Sequence, residues 1–326
     1  MRVLSSNRLK THDDLDKIDT QILTILSNNS RTSFKKISSQ VNLSKDAVRY
    51  RIKRLEKRNI LQGSKAIIDV SKLGYDNFHL FIQLNKPISE TDIVEKLSKL
   101  SFIRAILSFT GKFDLELSII VKSIASFDEK MEQLQNIVAP FIKNQLILIP
   151  TRNYTSKVLP FITPETSQPK QEPKTDEIDL AIIEILAQNA NTPYYEIANK
   201  IKLSPDAVTY RIKNLQQSGI INKFVPIINY AALNYSIYAL LININSLDSK
   251  TSNTLKETLN QDSSVLWAVK CIGSYNLLLY LCVKDTEQVH DTINNLRITF
   301  GAKFSDYELL IGSEEYKYAY FSERAI

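Results

Sequence analysis

Apolar positions along the chain follow two alternating rhythms, and the alternation occurs twice. Ile18, Ile22, Ile25 and Leu26 stand at i, i+4, i+7 and i+8, the one-sided stripe of an amphipathic helix. Phe34, Ile37 and Val41 predict a short second helix with these residues facing inward, followed by a tight turn at Asn42-Leu43. Val48, Ile52 and Leu55 predict a third helix, capped by Ser44, with Asp46 in the first turn where the helix dipole favours an anion. The rhythm then changes. Residues 60–70 read as a short β-ribbon around Gly63, which makes the whole segment a winged helix-turn-helix. Beyond it come a strand at 78–84, a helix at 89–100 and a strand at 102–109. After a turn at Gly111 follow a strand at 113–121, a helix at 126–138 and a strand at 145–154. The order βαββαβ is that of a ferredoxin-like sandwich.

The second half repeats the first. The segment opening at Asp16 returns at Asp176, and Leu43-Ser44 returns as Leu203-Ser204, an offset of 160 that holds without a gap to Tyr75 and Tyr235. Pro205 stands at the first position of the returning third helix, where its missing N–H costs nothing, and Val208, Ile212 and Leu215 repeat the core stripe. Strands are expected at 236–245, 264–271, 275–283 and 303–311, with helices at 250–260 and 287–298. Residues 315–321 are expected to add an edge strand. The expected fold class is therefore α+β, a tandem repeat of a winged helix-turn-helix domain and a βαββαβ sandwich. The divisions are a tail at 1–14, helix-turn-helix 1 at 15–75, sandwich 1 at 76–155, a linker at 156–175, helix-turn-helix 2 at 176–235 and sandwich 2 at 236–326. A period this long suits a duplicated two-domain unit rather than a solenoid.

The linker holds Pro160, Pro164, Pro169 and Pro173, four of the ten prolines, so it is expected to be exposed and extended. The tail has no apolar core of a signal peptide, and the longest apolar run, at 277–283, has a strand's length and cannot span a bilayer. These features predict a cytoplasmic protein with no membrane partner. Cys271 and Cys282 sit in apolar strands and are expected to be buried free thiols.

Charge separates the two copies. The net charge is +6, but residues 1–160 carry +10 and residues 161–326 carry −4. On the third helix of copy one, Lys45, Arg49 and Lys53 lie four apart on one outward stripe, with Tyr50 and Arg54 beside it and Arg51, Lys57 and Arg58 flanking it. A cationic outer face on a helix held by a helix-turn-helix is what entry into the major groove of double-stranded DNA requires. Copy two offers Thr209, Tyr210, Arg211 and Lys213 at the same places, with Pro205, Asn214, Gln217 and Ser218 where copy one has cations. Copy one is therefore expected to dominate DNA contact.

These residues resemble the Lrp/AsnC (feast/famine) family of transcriptional regulators. The resemblance rests on Leu15-Asp16-x-Ile18-Asp19, Leu43-Ser44, Arg51 to Glu56 and Gly111-x-Phe113-Asp114, and covers nearly the whole chain. It implies sandwich domains that dimerise sheet against sheet, and an amino acid or related metabolite bound near the Gly-x-x-Asp loop. Mapped here, that loop is Gly111 and Asp114 in copy one, and Gly273 and Asn276 in copy two, where the carboxylate is lost. The same residues also suit a plain hairpin turn. Two units in one chain could form an internal pseudo-dimer, or the sandwiches could pair between chains as a homo-oligomer. A non-specific architectural DNA-binding protein is the alternative. Siroheme-decarboxylase-like enzymes share the fold, but residues 102–111, where such relatives are rich in His, Arg, Tyr and Trp, hold one arginine and no histidine. His12, His79 and His290 show neither metal-ligand nor nucleophile–base spacing. No catalytic residue, metal or cofactor is expected.

Overall fold

A computed structural model describes residues 2–4, 15–85, 90–160, 162 and 175–319. Its elements begin with β1 (Arg2–Val3), α1 (Lys17–Asn28), α2 (Phe34–Val41), α3 (Lys45–Lys57) and β2 (Leu61–Ile68). Then come β3 (Asp76–Leu84), α4 (Glu90–Ser98), β4 (Ile103–Thr110), β5 (Leu115–Val121), α5 (Ile124–Val138) and β6 (Ile142–Ser156). Copy two gives α6 (Glu177–Gln188), α7 (Tyr194–Ile201), α8 (Pro205–Gln217), β7 (Ile221–Ile228) and β8 (Ser236–Ile244). It ends with α9 (Ser249–Gln261), β9 (Val265–Ile272), β10 (Leu277–Val283), α10 (Thr286–Phe300) and β11 (Phe304–Tyr318). Local chemistry explains the starts and stops. Asp16 and Asp176 cap α1 and α6, Ser44 and Ser204 cap α3 and α8, and the turns before α3 and α8 pass through left-handed Asn42 and Lys202.

The two sandwiches join into one sheet. Within each copy the strand order is ferredoxin-like, β4-β5-β3-β6 and β9-β10-β8-β11. The last strand of each copy is fifteen residues long and changes partner half-way. Residues 142–148 of β6 pair with β3, and residues 149–156 pair with β9 of the other copy. In the same way β11 pairs first with β8 and then with β4. All these pairings are antiparallel, and the eight strands close into a ring with β1 added on β11. The ring abolishes the sheet edges that two separate sandwiches would expose. Phe78, Leu80, Leu115 and Leu117 point outward under α4 and α5, and Leu240, Leu277 and Leu279 do so under α9 and α10. Phe81, Phe113, Val269, Leu278 and Leu310 point inward and form a core shared by both copies.

Four expectations change. Residues 60–70 do not fold back on themselves: β2 is one strand and pairs with β7 of the other copy. An apolar strand pattern does not name its partner, and here the partner lies in the duplicate. The ribbon also crosses over in its packing. Ala66 and Ile68 enter the core of the second helix-turn-helix, and Val225 and Ile228 enter the core of the first. The linker is not wholly exposed, because Val158, Leu159 and Ile162 are buried in the core of the first helix-turn-helix. Pro164, Pro169 and Pro173 lie outside the described residues. Residues 315–318 are the end of β11 rather than a separate edge strand, and residues 320 and 321 lie outside the described residues. Finally, Phe34 is partly exposed rather than packed inward. In the tail, residues 2–3 form β1 and Leu4 is buried, while 5–14, including His12, lie outside the described residues.

Candidate nucleic-acid interface and effector loops

Two carboxylates at the start of α1 hold α3 against it. Arg51 donates to Asp16 at 2.6 Å and to Asp19 at 2.8 Å, and Arg54 reaches the same pair. Asp19 is fully buried, so its charge needs these partners. The hydrogen bond from Arg51 holds the Asp16 carboxyl down to about 2, and the same contacts hold the Arg51 guanidinium above its ordinary value. Copy two repeats the clamp: Arg211 donates to Asp176 at 2.9 Å and to Asp179 at 2.9 Å. The sequence pattern placed Arg51, Arg54 and Arg211 among the DNA-facing residues. The structure gives all three an intramolecular partner that fixes the angle between two helices. A signal for Arg51 and Arg211 was already present, because Asp16, Asp19 and Arg51 recur as Asp176, Asp179 and Arg211 at one offset, whereas Arg54 becomes Asn214 and had none.

The remaining candidates lie on the outer face. Lys45, Arg49, Tyr50 and Lys53 are exposed, Tyr50 to 67%. Arg49 pairs loosely with Asp46 at 3.2 Å and lies 5.6 Å from the centre of the Phe34 ring. Phe34, expected in the core, therefore sits against the outer face of α3. On α8, Tyr210 is 66% exposed, and Thr209 and Lys213 share its face. The Thr209 hydroxyl bonds back to the Pro205 carbonyl at 2.8 Å. The outer face of α3 thus presents Lys45, Arg49 and Lys53, with exposed Lys57 a turn further on, and that of α8 presents Lys213.

The two heads are fastened to each other. Arg31, in the turn after α1, donates to the carbonyls of Ala190 and Thr192, the latter at 3.1 Å. Its guanidinium lies 4.2 Å from the centre of the Tyr194 ring. Ser30 N–H donates to the Phe224 carbonyl, and Ala190 N–H to the Ser64 carbonyl. With the shared ribbon, these bonds set the spacing of α3 and α8 inside one chain.

The Gly-x-x-Asp loops lie where each hairpin meets the other copy. A Cβ on Gly111 would come within 2.9 Å of Leu310 Cδ2, and one on Gly273 within 2.7 Å of the Ile147 carbonyl oxygen and of Leu148 Cδ2. Both glycines have φ of +148°. Asp114 accepts from the Leu84 N–H at 2.7 Å. Asn276 accepts from the Ile244 N–H at 2.9 Å and also donates to its carbonyl at 2.8 Å. The departure from carboxylate to amide therefore preserves the strand-end bond and adds one.

His290 is exposed and bonds to Asn294, whereas His79 is buried beside Glu116 on the inner face of the ring. Cys271 and Cys282 are buried and unpaired, and burial pushes the Cys271 thiol up to about 12. Among the described residues no helix is long and apolar enough to cross a membrane, and no three His, Cys, Asp or Glu gather as a metal site.

Comparison with known proteins agrees with this layout. Residues 15–56 match the AsnC-type helix-turn-helix domain, and residues 175–222 match a winged helix-turn-helix DNA-binding model. The transcriptional regulator AzlB of Bacillus subtilis is 34% identical over 119 residues, covering 36% of this chain and 76% of that protein. The HTH-type transcriptional regulator Ptr1 of Methanocaldococcus jannaschii is 34% identical over 127 residues, covering 38% of this chain and 86% of that one. The whole double unit superposes on the crystal structure of the siroheme decarboxylase NirDL with a TM-score of 0.63 at 15% identity, covering 95% of this chain and 96% of that one. At that identity the likeness is one of fold.

Proposed function

Because the chain belongs to the Lrp/AsnC family of DNA-binding transcriptional regulators, with two tandem copies of the family unit, we propose that it reads DNA as an internal pseudo-dimer of unequal heads. The observation that carries this reading is the contrast between the outer faces of α3 and α8. Lys45, Arg49 and Lys53 are exposed with no buried partner, so they remain available to phosphates or guanine edges. Only Lys213 stands for them on α8. Both helices are set by the same clamp, so the difference lies in the groove-facing chemistry and not in the scaffold.

The regulatory reading outweighs the enzymatic one. The sequence relatives AzlB and Ptr1 are regulators, while the decarboxylase likeness is of fold alone. The family expectation of an amino-acid effector at Gly111, Asp114, Gly273 and Asn276 meets a site whose polar groups already serve the strand ends. Selection of bound sequences from a random duplex pool by the purified protein tests the proposal. The account expects an asymmetric site with one strongly and one weakly specified half. Enrichment of no sequence would favour an architectural DNA coater, and a perfect palindrome would favour pairing of equal heads between chains.

A further inference from the structure

A cavity of about 490 Å³ lies between the β2–β7 ribbon and the inner face of the ring, in the size range of small-molecule sites. One wall carries a buried chain of polar groups. Ser118 donates to Asn77 Oδ1 at 2.8 Å, Asn77 Nδ2 to His79 Nε2 at 3.1 Å, and His79 Nδ1 to Glu116 Oε1 at 2.6 Å. The Tyr280 hydroxyl, from the other copy, donates to Glu116 Oε2. This order places the imidazole proton on Nδ1. Trp267 lies 5.6 Å from the His79 ring and 5.5 Å from the Tyr280 ring, giving the wall an aromatic surface.

The duplication shows that the ring does not need this network. At the matching positions the copies exchange Asn77 for Ile237, His79 for Ala239, Glu116 for Leu278 and Trp267 for Ala105. The second copy builds the same strands with apolar residues there. A buried polar network is costly unless fully satisfied, so its presence on one wall alone answers to something besides folding.

Arg104 points to what that is. It sits at a bulge in β4, where the register with β5 shifts between Ile103 and Ala105, and it lines the cavity. Bulges re-aim side chains. Its Nε is buried without a hydrogen-bond partner. Copy two has the same bulge in β9 and carries Leu266 there. A buried guanidinium N–H without an acceptor is destabilising, and a turn of the partly exposed Arg104 side chain towards the cavity would let a carboxylate supply the acceptor in bidentate form. Along the lining Lys65, Arg104, Arg152 and Lys157 face Asp69, Asp76, Glu116 and Glu315, so the walls carry no net excess of positive charge to hold a dianion, and a single carboxylate matches the one guanidinium at the bulge.

We propose that this cavity binds one aromatic carboxylate, its carboxylate on Arg104 and its ring against Trp267 and Tyr280. The site is separate from the Gly111 and Gly273 loops. Its roof is the ribbon that carries both helix-turn-helix heads, so occupancy touches the strands that set their spacing.

Trp267 is the single tryptophan of the chain, so its emission reports on this wall and nowhere else. Calorimetric titration of the full chain without DNA, using 1-naphthoate and its uncharged amide, measures binding and charge recognition together. Benzoate, which does not emit, is used to read Trp267. The expected result is saturable binding of the acids, at least tenfold weaker binding of the amide and a shift of Trp267 emission with benzoate. Arg104→Leu, the residue copy two carries, is expected to weaken the acids about tenfold to a hundredfold. Its melting temperature should not fall, because Arg104 Nε has no partner to lose. The proposal is overturned if no acid binds, if acid and amide bind alike, if Arg104→Leu binds as tightly, or if binding leaves Trp267 emission unchanged. None of these outcomes bears on DNA binding, which is measured separately.

Discussion

Replacing Gly273 by alanine tests whether the two copies close on each other within one chain. The hairpin between β9 and β10 crosses β6 just where that strand leaves β3 for β9. An alanine Cβ there would stand 2.7 Å from the Ile147 carbonyl oxygen and 2.7 Å from Leu148 Cδ2. The side-chain methyl can rotate away, but the carbonyl belongs to a paired strand and cannot. Overpacking of this kind costs about 1–3 kcal/mol. The positive φ adds a further penalty, and Gly301 supplies the control: its φ is also positive, but a Cβ there meets nothing within 4 Å. Both backbones disfavour an L side chain, at φ of +148° and +50°, so the contact with the other copy is the main difference between Gly273→Ala and Gly301→Ala. At about 2 °C per kcal/mol for a chain of this size, Gly273→Ala should melt roughly 2–6 °C below Gly301→Ala by calorimetry. Equal melting temperatures would mean that the hairpin does not approach β6, and the closed ring would be wrong.

Further outcomes follow from the clamps and the core. Asp19→Asn keeps the shape but removes the buried charge that Arg51 and Arg54 share, and should destabilise the first helix-turn-helix by about 1–3 kcal/mol in denaturant titration, since the arginines can turn to water. The Asp16 carboxyl is held down to about 2, so the stability it contributes is complete above about pH 4 and is lost as the pH falls towards 2. Circular dichroism of Asp16→Asn should show a weaker acid dependence over that window. Cys271 and Cys282 are buried, with burial pushing both thiols up, so a thiol reagent at neutral pH should label them only after unfolding.

The helices were legible because their apolar stripes and caps are local, and the duplication allowed each to be read twice. Partner choice was not. Residues 61–68 and 221–228 look like the arms of two small ribbons, and only the folded chain pairs them with each other. The strand expected at 145–154 nearly spans β6, but nothing in its pattern shows the change of partner half-way, and β11 was read as a strand at 303–311 followed by a separate edge strand for the same reason. The candidate site divides along the same line. Lys45, Arg49 and Lys53 could be placed on an outer face by spacing, but Arg51 and Arg54 look equally suited to phosphate until Asp19 is seen beneath them. His79 and Glu116 lie 37 residues apart, and no motif joins them. Comparison of the copies, which puts Ala239 and Leu278 at their places, was the one sequence signal that set them apart.

The inequality of the heads is tested most directly by the salt dependence of operator binding. Arg49→Ala/Lys53→Ala removes two exposed cations from α3, while Thr209→Ala/Lys213→Ala removes one from α8, and neither touches the clamps. Each phosphate contact contributes about 0.9 to the slope of log K against log salt. The account predicts that the first pair lowers the slope by about 2 and weakens binding strongly, and that the second lowers it by no more than about 1. Equal losses of slope and affinity from the two double variants would contradict it.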